Sequence, residues 1–318
     1  MTDKQTGKRR DVAQEITDRI IAAIEAGAPP WKRPWKSAFG SLRPLRNNGA
    51  PYKGVNILIL WDRAGEKGFE NPRWMTFRQA MALGGHVKKG ERGVSVVYYG
   101  STTKEVEDGG GGEGSEAERT FRFLKSYPVF NVEQVADLPA HFYDHKGKDV
   151  VRTPPPSQRK AFFDGVGAEI RHGGDCAFYH RGEDFIRMPP YGAFDNPERY
   201  FATLAHEVTH WTGAPGRLDR KKGRRYGDED YAYEELVAEI GSAMIGAEIG
   251  LPPDHIEDHA AYVNAWLTSL RNDKRYILKA AAEAQKACDF VMAKTQSGAP
   301  GGETRGEPAQ AGVAGAAA

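Results

Sequence analysis

The sequence predicts an α+β chain in two domains, and three observations carry that reading. Its 318 residues exceed the roughly 100–200 of one typical domain. Charge is divided along it: residues 1–104 hold 19 Lys and Arg against 9 Asp and Glu, whereas residues 105–318 hold 25 against 34. Short apolar runs with strand-like alternation share the chain with longer stretches whose apolar residues recur at threes and fours, the helical spacing.

The net charge of +1 hides the asymmetry. A basic half joined to an acidic half suits a chain of which one half meets a polyanion. Composition is otherwise globular, 40% hydrophobic and 27% charged. Cys176 and Cys288 are too few for a disulfide framework, and no apolar run reaches the length of a signal core or a membrane span. The expectation is a reduced, cytoplasmic protein with no membrane partner.

Residues 1–10, with Lys8, Arg9 and Arg10, read as a basic tail. Asp11 then caps a helix reaching about residue 26, with Val12, Ile16, Ile20 and Ile24 on one stripe and Gly27 as its stop. Residues 28–54 change character. Prolines stiffen the chain while Trp31, Trp35 and Tyr52 alternate with Lys32, Arg33, Lys36, Arg43, Arg46 and Lys53. Flat aromatic faces stack on unpaired bases and cations follow phosphates, so the cluster suits single-stranded nucleic acid. The competing reading is that Trp31 and Trp35 anchor a proline-rich loop on the core.

Residues 55–61 form an apolar run, strand or buried helix, which periodicity does not decide. Thr76 with Gln79 makes a capping box that opens a helix, and Gly84-Gly85 closes it. Lys88, Lys89 and Arg92 flank a tight turn, as nucleic-acid contacts or as a solvated turn, before a strand at residues 94–99. The glycine-rich residues 108–115 have no means of packing. A second strand, from residue 119 to about residue 130, completes a hairpin whose mobile tip is acidic and therefore unsuited to DNA.

The chemistry concentrates at His206-Glu207-Val208-Thr209-His210. On a helix, residues four apart share a face, so both imidazoles point to one spot. Glu207 lies on the neighbouring edge, where its carboxylate reaches a water without having to bind the metal. Two nitrogen ligands and a general base are the parts of a zinc peptidase site. Asp195 or Asn196 caps this helix, Pro197 suits its first turn and Gly213 its end. A second helix begins near Tyr231 and carries Glu235 and Glu239 on a face shared with Ala232, Leu236 and Ala243. Burying two unpaired carboxylates on such a face costs several kcal/mol, which a metal and its histidines offset.

The run His-Glu-x-x-His, Trp211-Thr-Gly-x-x-x-Arg-Leu218 and Tyr233-Glu-Glu-Leu-Val-Ala-Glu239 resembles the zincin-like metallopeptidase domain of plasmid and phage proteins. The resemblance implies Glu235 as third ligand and Glu239 as the group orienting His206, with Glu234 the competing ligand. Further upstream, Pro-Trp-Lys-x-Pro-Trp, Gly49-x-Pro-Tyr-x-Gly-x-Asn56, Trp74-x-Thr-Phe-x-Gln-Ala80, Gly90-x-x-Gly93 and Val129-Phe-Asn-Val-Glu-Gln134 follow one another in order. That series resembles the amino-terminal domain of ArdC-type antirestriction proteins, which also occurs in TraC-type plasmid primases. It implies single-stranded DNA binding, carriage with a conjugative plasmid and protection of incoming DNA from host restriction. Trp74 joins the candidate nucleic-acid-binding residues on this basis.

The expected organisation is a basic tail (residues 1–10), a DNA-binding α+β domain with the hairpin (11–140), a linker (141–157) that includes Thr153-Pro-Pro-Pro156, a zincin-like domain (158–294) and a disordered tail (295–318). Within the second domain, residues 161–170 read as a helix leading to a strand, and residues 176–179 and 184–188 as short strands. His172 and His180 read as surface histidines. The arginines and lysines between residues 217 and 225 form a mobile lid or a solvated loop, and Tyr226, Tyr231 or Tyr233 stands ready to stabilise an oxyanion. Residues 255–270 and 273–293 are closing helices. Zinc is the expected cofactor, with manganese or another divalent metal fitting similar ligands. The expected partners are single-stranded DNA and a protein substrate, for which the host restriction machinery is one source. The alternative is a non-catalytic strand-coating protein with a structural or latent metal.

Overall fold

The computed structural model describes residues 11–32, 43–107, 116–144, 155–221, 229–251 and 260–297. Helix α1 (Val12–Glu25) opens where the Asp11 carboxylate accepts from the Gln14 N–H at 3.1 Å, and buries Ile16, Ile20 and Ile24. After β1 (Leu45–Arg46), the undecided apolar run is a helix, α2 (Val55–Lys67). Its burial from Ile57 through Trp61 explains why no helical stripe was legible. β2 (Arg73–Met75) leads to α3 (Phe77–Ala82), whose Thr76–Gln79 capping box forms with bonds of 2.9 and 3.2 Å.

β3 (His86–Val87), β4 (Val94–Glu107), β5 (Glu116–Asn131) and β6 (Val135–Ala136) complete the amino-terminal sheets. Their order is β1-β2-β5-β4 in one and β3-β6 in the other. The β4–β5 hairpin is longer than its apolar core residues indicate, because pairing continues through polar positions to Glu107 and Glu116.

The rest of the chain is α4 (Pro156–Val166), β7 (Glu169–His172), β8 (Phe178–His180), β9 (Phe185–Met188), α5 (Pro197–Thr212), α6 (Glu229–Glu248), α7 (Ala260–Asn272) and α8 (Tyr276–Ser297). Gly167, at φ +81°, stops α4 before the expected residue 170, so Ile170 lies in β7. α8 runs past residue 295, where a disordered tail was expected, to Ser297. β9 is central in its sheet, parallel to β7 and antiparallel to β8, which leaves β8 at the edge.

One core runs through both halves: Ile20, Trp31, Trp61 and Val97 belong to the same buried cluster as Leu204, Ile240, Trp266 and Ile277. A smaller cluster of Met75, Ala80, Val132, Val135, Leu138 and Phe142 lies under α3 and β6. No helix among the described residues is long and apolar enough to cross a membrane.

Candidate metal centre and nucleic-acid surface

The site begins with the packing of α5 on α6. Of the two caps the sequence offers, Asn196 is the one used, its side chain accepting from the Arg199 N–H at 2.9 Å, and Pro197 occupies the first turn as expected. Glu198, also in that turn, meets the buried Arg159 of α4 at 2.9 Å. On α6, Gly241 faces Thr209, and a Cβ there would fall 2.5 Å from Thr209 Cγ2. Only glycine lets the two helices approach this closely. The approach brings the α6 carboxylates within reach of the α5 imidazoles.

His206, His210 and Glu235 converge, each offering one ligand atom within 4.8 Å of the others, and all three are buried. The two Nε2 atoms stand 3.1 Å apart. Glu235 reaches both, Oε2 at 3.5 Å from His206 and Oε1 at 3.5 Å from His210. The opposite edge of each imidazole faces another carboxylate. Nδ1 of His206 lies 3.9 Å from Glu239, and Nδ1 of His210 lies 3.2 Å from Glu234. Glu234, the competing ligand, thus stands behind His210, while Glu235 sits among the converging atoms. A two-nitrogen, one-oxygen set with outer carboxylates has the donor chemistry of a divalent-metal cradle.

Electrostatics follow from that crowding. Burial alone raises the Glu235 pKa, but the two imidazoles overcome it and hold the carboxyl well below its usual range. Burial lowers that of His206, yet Glu235, with Glu207 and Glu239 behind it, produces a net rise. For Glu234, burial is again outweighed, by His210 and Arg220, and its pKa is held at about 2.

Arg220 was not singled out from its neighbours in the sequence. It is buried, donating to Glu234 from Nε at 3.0 Å and Nη2 at 2.8 Å, to Thr212 Oγ1 at 2.9 Å and to the Thr209 carbonyl at 2.6 Å. Arg217 is anchored as well. It pairs with Asp184, donates to the Trp211 carbonyl at 2.6 Å and lies 4.0 Å over the Trp211 ring. The start of the expected lid is therefore fastened to α5 and the β8–β9 turn, and residues 222–228, with Tyr226, lie outside the described residues.

A cleft of about 800 Å³ opens over the cradle, lined by His206, Glu207, His210 and Glu235 and, along one wall, by Phe178 and Tyr179 of the edge strand β8. Tyr231 and Tyr262 line it as well. Burial, then Tyr262 and Glu235, push the Tyr231 hydroxyl far above its usual pKa. Tyr233 packs edge-on against Tyr276 instead and is absent from the cleft wall. His172 is exposed, the surface histidine the sequence leads one to expect, with its ring 2.9 Å from the Tyr200 hydroxyl, whereas His180 is half-buried and stacks on Phe185 at 5.2 Å.

The nucleic-acid candidates divide. Trp31, Tyr52 and Trp74 are 1%, 3% and 1% exposed, and Arg43 is 6% exposed. Trp31 packs edge-on against Trp266 at 6.0 Å and Trp74 against Phe69 at 5.9 Å. Arg43 donates to the Tyr52 carbonyl at 2.9 Å and pairs with Glu248. These four are corrected to core residues, because a ring with no free face offers nothing for a base to stack on and the buried Arg43 guanidinium is committed to Glu248 and the Tyr52 carbonyl. Arg46, Lys53, Lys88, Lys89 and Arg92 are exposed and Lys32 half-buried, although Lys53 meets Asp289 at 3.2 Å and Lys88 donates to the Glu133 carbonyl at 2.8 Å. Arg33, Trp35 and Lys36 lie outside the described residues.

Residues 157–283 match the family model described as zincin-like metallopeptidase, and residues 10–130 match the N-terminal domain of anti-restriction factor ArdC. Fold and site thus define a zincin-like domain joined to an ArdC-type amino-terminal domain. The chain is 37% identical over 312 residues to the uncharacterized protein y4eC of Sinorhizobium fredii (strain NBRC 101917 / NGR234), covering 96% of this chain and 99% of that one. It is 38% identical over 299 residues to the DNA primase TraC of Escherichia coli, covering 89% of this chain but only 27% of the primase. Among solved structures, the metal-free antirestriction ArdC protein from plasmid R388 aligns with a TM-score of 0.77 at 44% identity, over 91% of this chain and 99% of that one. The Mn(II)-bound structure of the same ArdC protein aligns with a TM-score of 0.73, also at 44% identity, over 90% of this chain and 98% of that one. The chain belongs to the ArdC antirestriction family.

Proposed function

We propose that this chain is a plasmid-type antirestriction protein that binds single-stranded DNA and hydrolyses peptide bonds in a protein substrate, protecting incoming DNA from host restriction. The observation that carries the reading is the convergence of His206, His210 and Glu235 beneath a cleft that Glu207 also lines. A divalent ion held by those three residues, zinc or manganese, supplies Lewis acidity to the cleft. The Mn(II)-bound ArdC structure supports a divalent ion in this family's fold. Glu207 takes a proton from the attacking water and returns it to the leaving amine nitrogen. Glu239 and Glu234 fix which edge of each imidazole faces inward. The edge strand β8 offers backbone groups to an extended peptide, placing a scissile bond beside Glu207. Tyr231, on the cleft wall, is positioned to donate to a developing oxyanion.

The DNA-binding half of the reading rests on the ArdC-type amino-terminal domain, the TraC similarity and the excess of Lys and Arg in residues 1–104. Glu207→Gln in the full chain separates the two activities. Metal uptake and DNA affinity should persist while peptide cleavage and protection are lost. Full protection by that variant would instead favour strand occlusion by a non-catalytic coat. DNA affinity should also fall as salt rises, since phosphate contacts release counterions.

A further inference from the structure

With Trp31, Tyr52 and Trp74 in the core, the exposed aromatics of the amino-terminal half lie elsewhere. The root of the β4–β5 ribbon is buried at Val94, Val96, Val97 and Val129, but Tyr98 and Tyr99 are 55% and 59% exposed. Tyr98 stands opposite Lys125 and Gly100 opposite Phe123. The Tyr98 and Phe123 rings are 6.4 Å apart and tilted by 52°, and Lys125 Nζ lies 4.9 Å from the Phe123 centroid. A Cβ at Gly100 would fall 2.3 Å from the Phe123 ring, so that ring lies against bare backbone. The ladder continues with Thr102 opposite Phe121 and Lys104 opposite Arg119, and acidic pairs begin only at Glu105 opposite Glu118.

We infer that the Tyr98–Gly100–Phe123–Lys125 face of this ribbon is the platform on which a single strand of DNA stacks its bases. The inference rests on the DNA-binding reading above and gives it a place. The occupant follows from charge and shape. Residues 94–104 and 119–131, on either side of the acidic tip, hold Lys104, Arg119, Arg122 and Lys125 and no Asp or Glu, as binding a polyanion requires. An exposed Tyr98 ring and a half-buried Phe123 ring beside Lys125 match bases on a charged backbone. Duplex DNA keeps its bases stacked on one another and offers the rings no free face. Lys125 meets a phosphate while Tyr98 and Phe123 each take one base.

The test is fluorescence anisotropy of a labelled single-stranded oligonucleotide with the full chain, over a range of salt. Tyr98→Ala and Phe123→Ala should each weaken affinity about five- to hundredfold, the range for one lost base stack. Tyr98→Phe, which keeps the ring, should stay near wild type. Lys125→Ala should flatten the slope of log affinity against log salt by about 0.7, one phosphate contact on a single strand. Tyr98→Leu guards against a ribbon that merely unfolds: with an unchanged melting temperature it should still lose affinity. If wild type binds and the Leu and Ala variants bind equally well, the platform is wrong while the DNA reading stands. Equal affinity of wild type for a duplex of the same sequence overturns the platform too. If wild type shows no salt-dependent binding, both fall.

Discussion

Glu234 Oε1 lies 3.2 Å from His210 Nδ1 and 2.8 Å from Arg220 Nη2, so one buried carboxylate ties the loop after α5 to a histidine of the metal cradle. Arg220→Ala leaves Glu234 charged in a buried site. We predict a loss of about 3–5 kcal/mol, the usual cost of breaking a buried pair by removing one partner, read from the urea midpoint. Arg220→Lys should restore only part of it, because an ammonium does not reproduce the forked contact.

Metal affinity should depend on the carboxylates that orient the imidazoles. Glu239→Gln and Glu234→Gln are each predicted to weaken divalent-ion binding about 10- to 100-fold in a calorimetric titration, without touching the converging atoms. Glu235→Ala removes one of those atoms and should weaken it further. Affinities unchanged in all three would refute the assignment of roles around the cradle.

Gly241→Ala pushes a methyl group into Thr209, where α5 and α6 cross. The variant should lose stability by about 1–3 kcal/mol through overpacking, and metal affinity should fall with it as the helices part. Gly241→Ala paired with Thr209→Ser, which removes the clashing methyl group, should recover both. A stable single variant with normal metal uptake would show that the close approach is dispensable.

Trp31→Ala and Trp74→Ala should behave as core truncations. Each is expected to cost about 3–5 kcal/mol, and DNA affinity should be unchanged under conditions where the variants remain folded. Weakened DNA binding by stable variants would return these rings to the nucleic-acid surface.

The pH dependence of the Asp184–Arg217 pair has a definite sign. Arg217 holds the Asp184 carboxyl below its ordinary value against a smaller opposing effect of burial, and Tyr179 adds to the lowering. A folded-state pKa below the unfolded one stabilises above the unfolded value of about 3.9, and that stability is lost as pH falls through the folded value. Wild type and Asp184→Asn should therefore differ by a constant amount from pH ~7 to ~5 and converge only below ~4 in urea melts. Convergence near neutral pH would contradict the pairing.

Much of the site was legible because helical spacing is rigid. His206 and His210 are fixed on one face by their interval once α5 forms, and the caps at Asp11, Thr76 and Asn196 are short-range. The choice of Glu235 over Glu234 came instead from the family resemblance, because the packing of α6 on α5 is tertiary. Burial was less legible. Trp31, Tyr52 and Arg43 sit in a stretch whose composition suits DNA, and only the arrival of α6, α7 and α8 from far along the chain makes them core. Arg220 looked like one cation among several for the same reason, since its partners on α5 and α6 are set by tertiary packing. The α2 run was ambiguous because burial leaves few polar residues to mark a face.

The most direct test is a titration of the metal-stripped full chain with Mn²⁺ and with Zn²⁺ by calorimetry. Wild type and Glu207→Gln should each take up a single ion per chain, and His210→Ala and Glu235→Ala should lose that uptake. No uptake by wild type, or uptake unaffected by losing His210 and Glu235, would contradict the account.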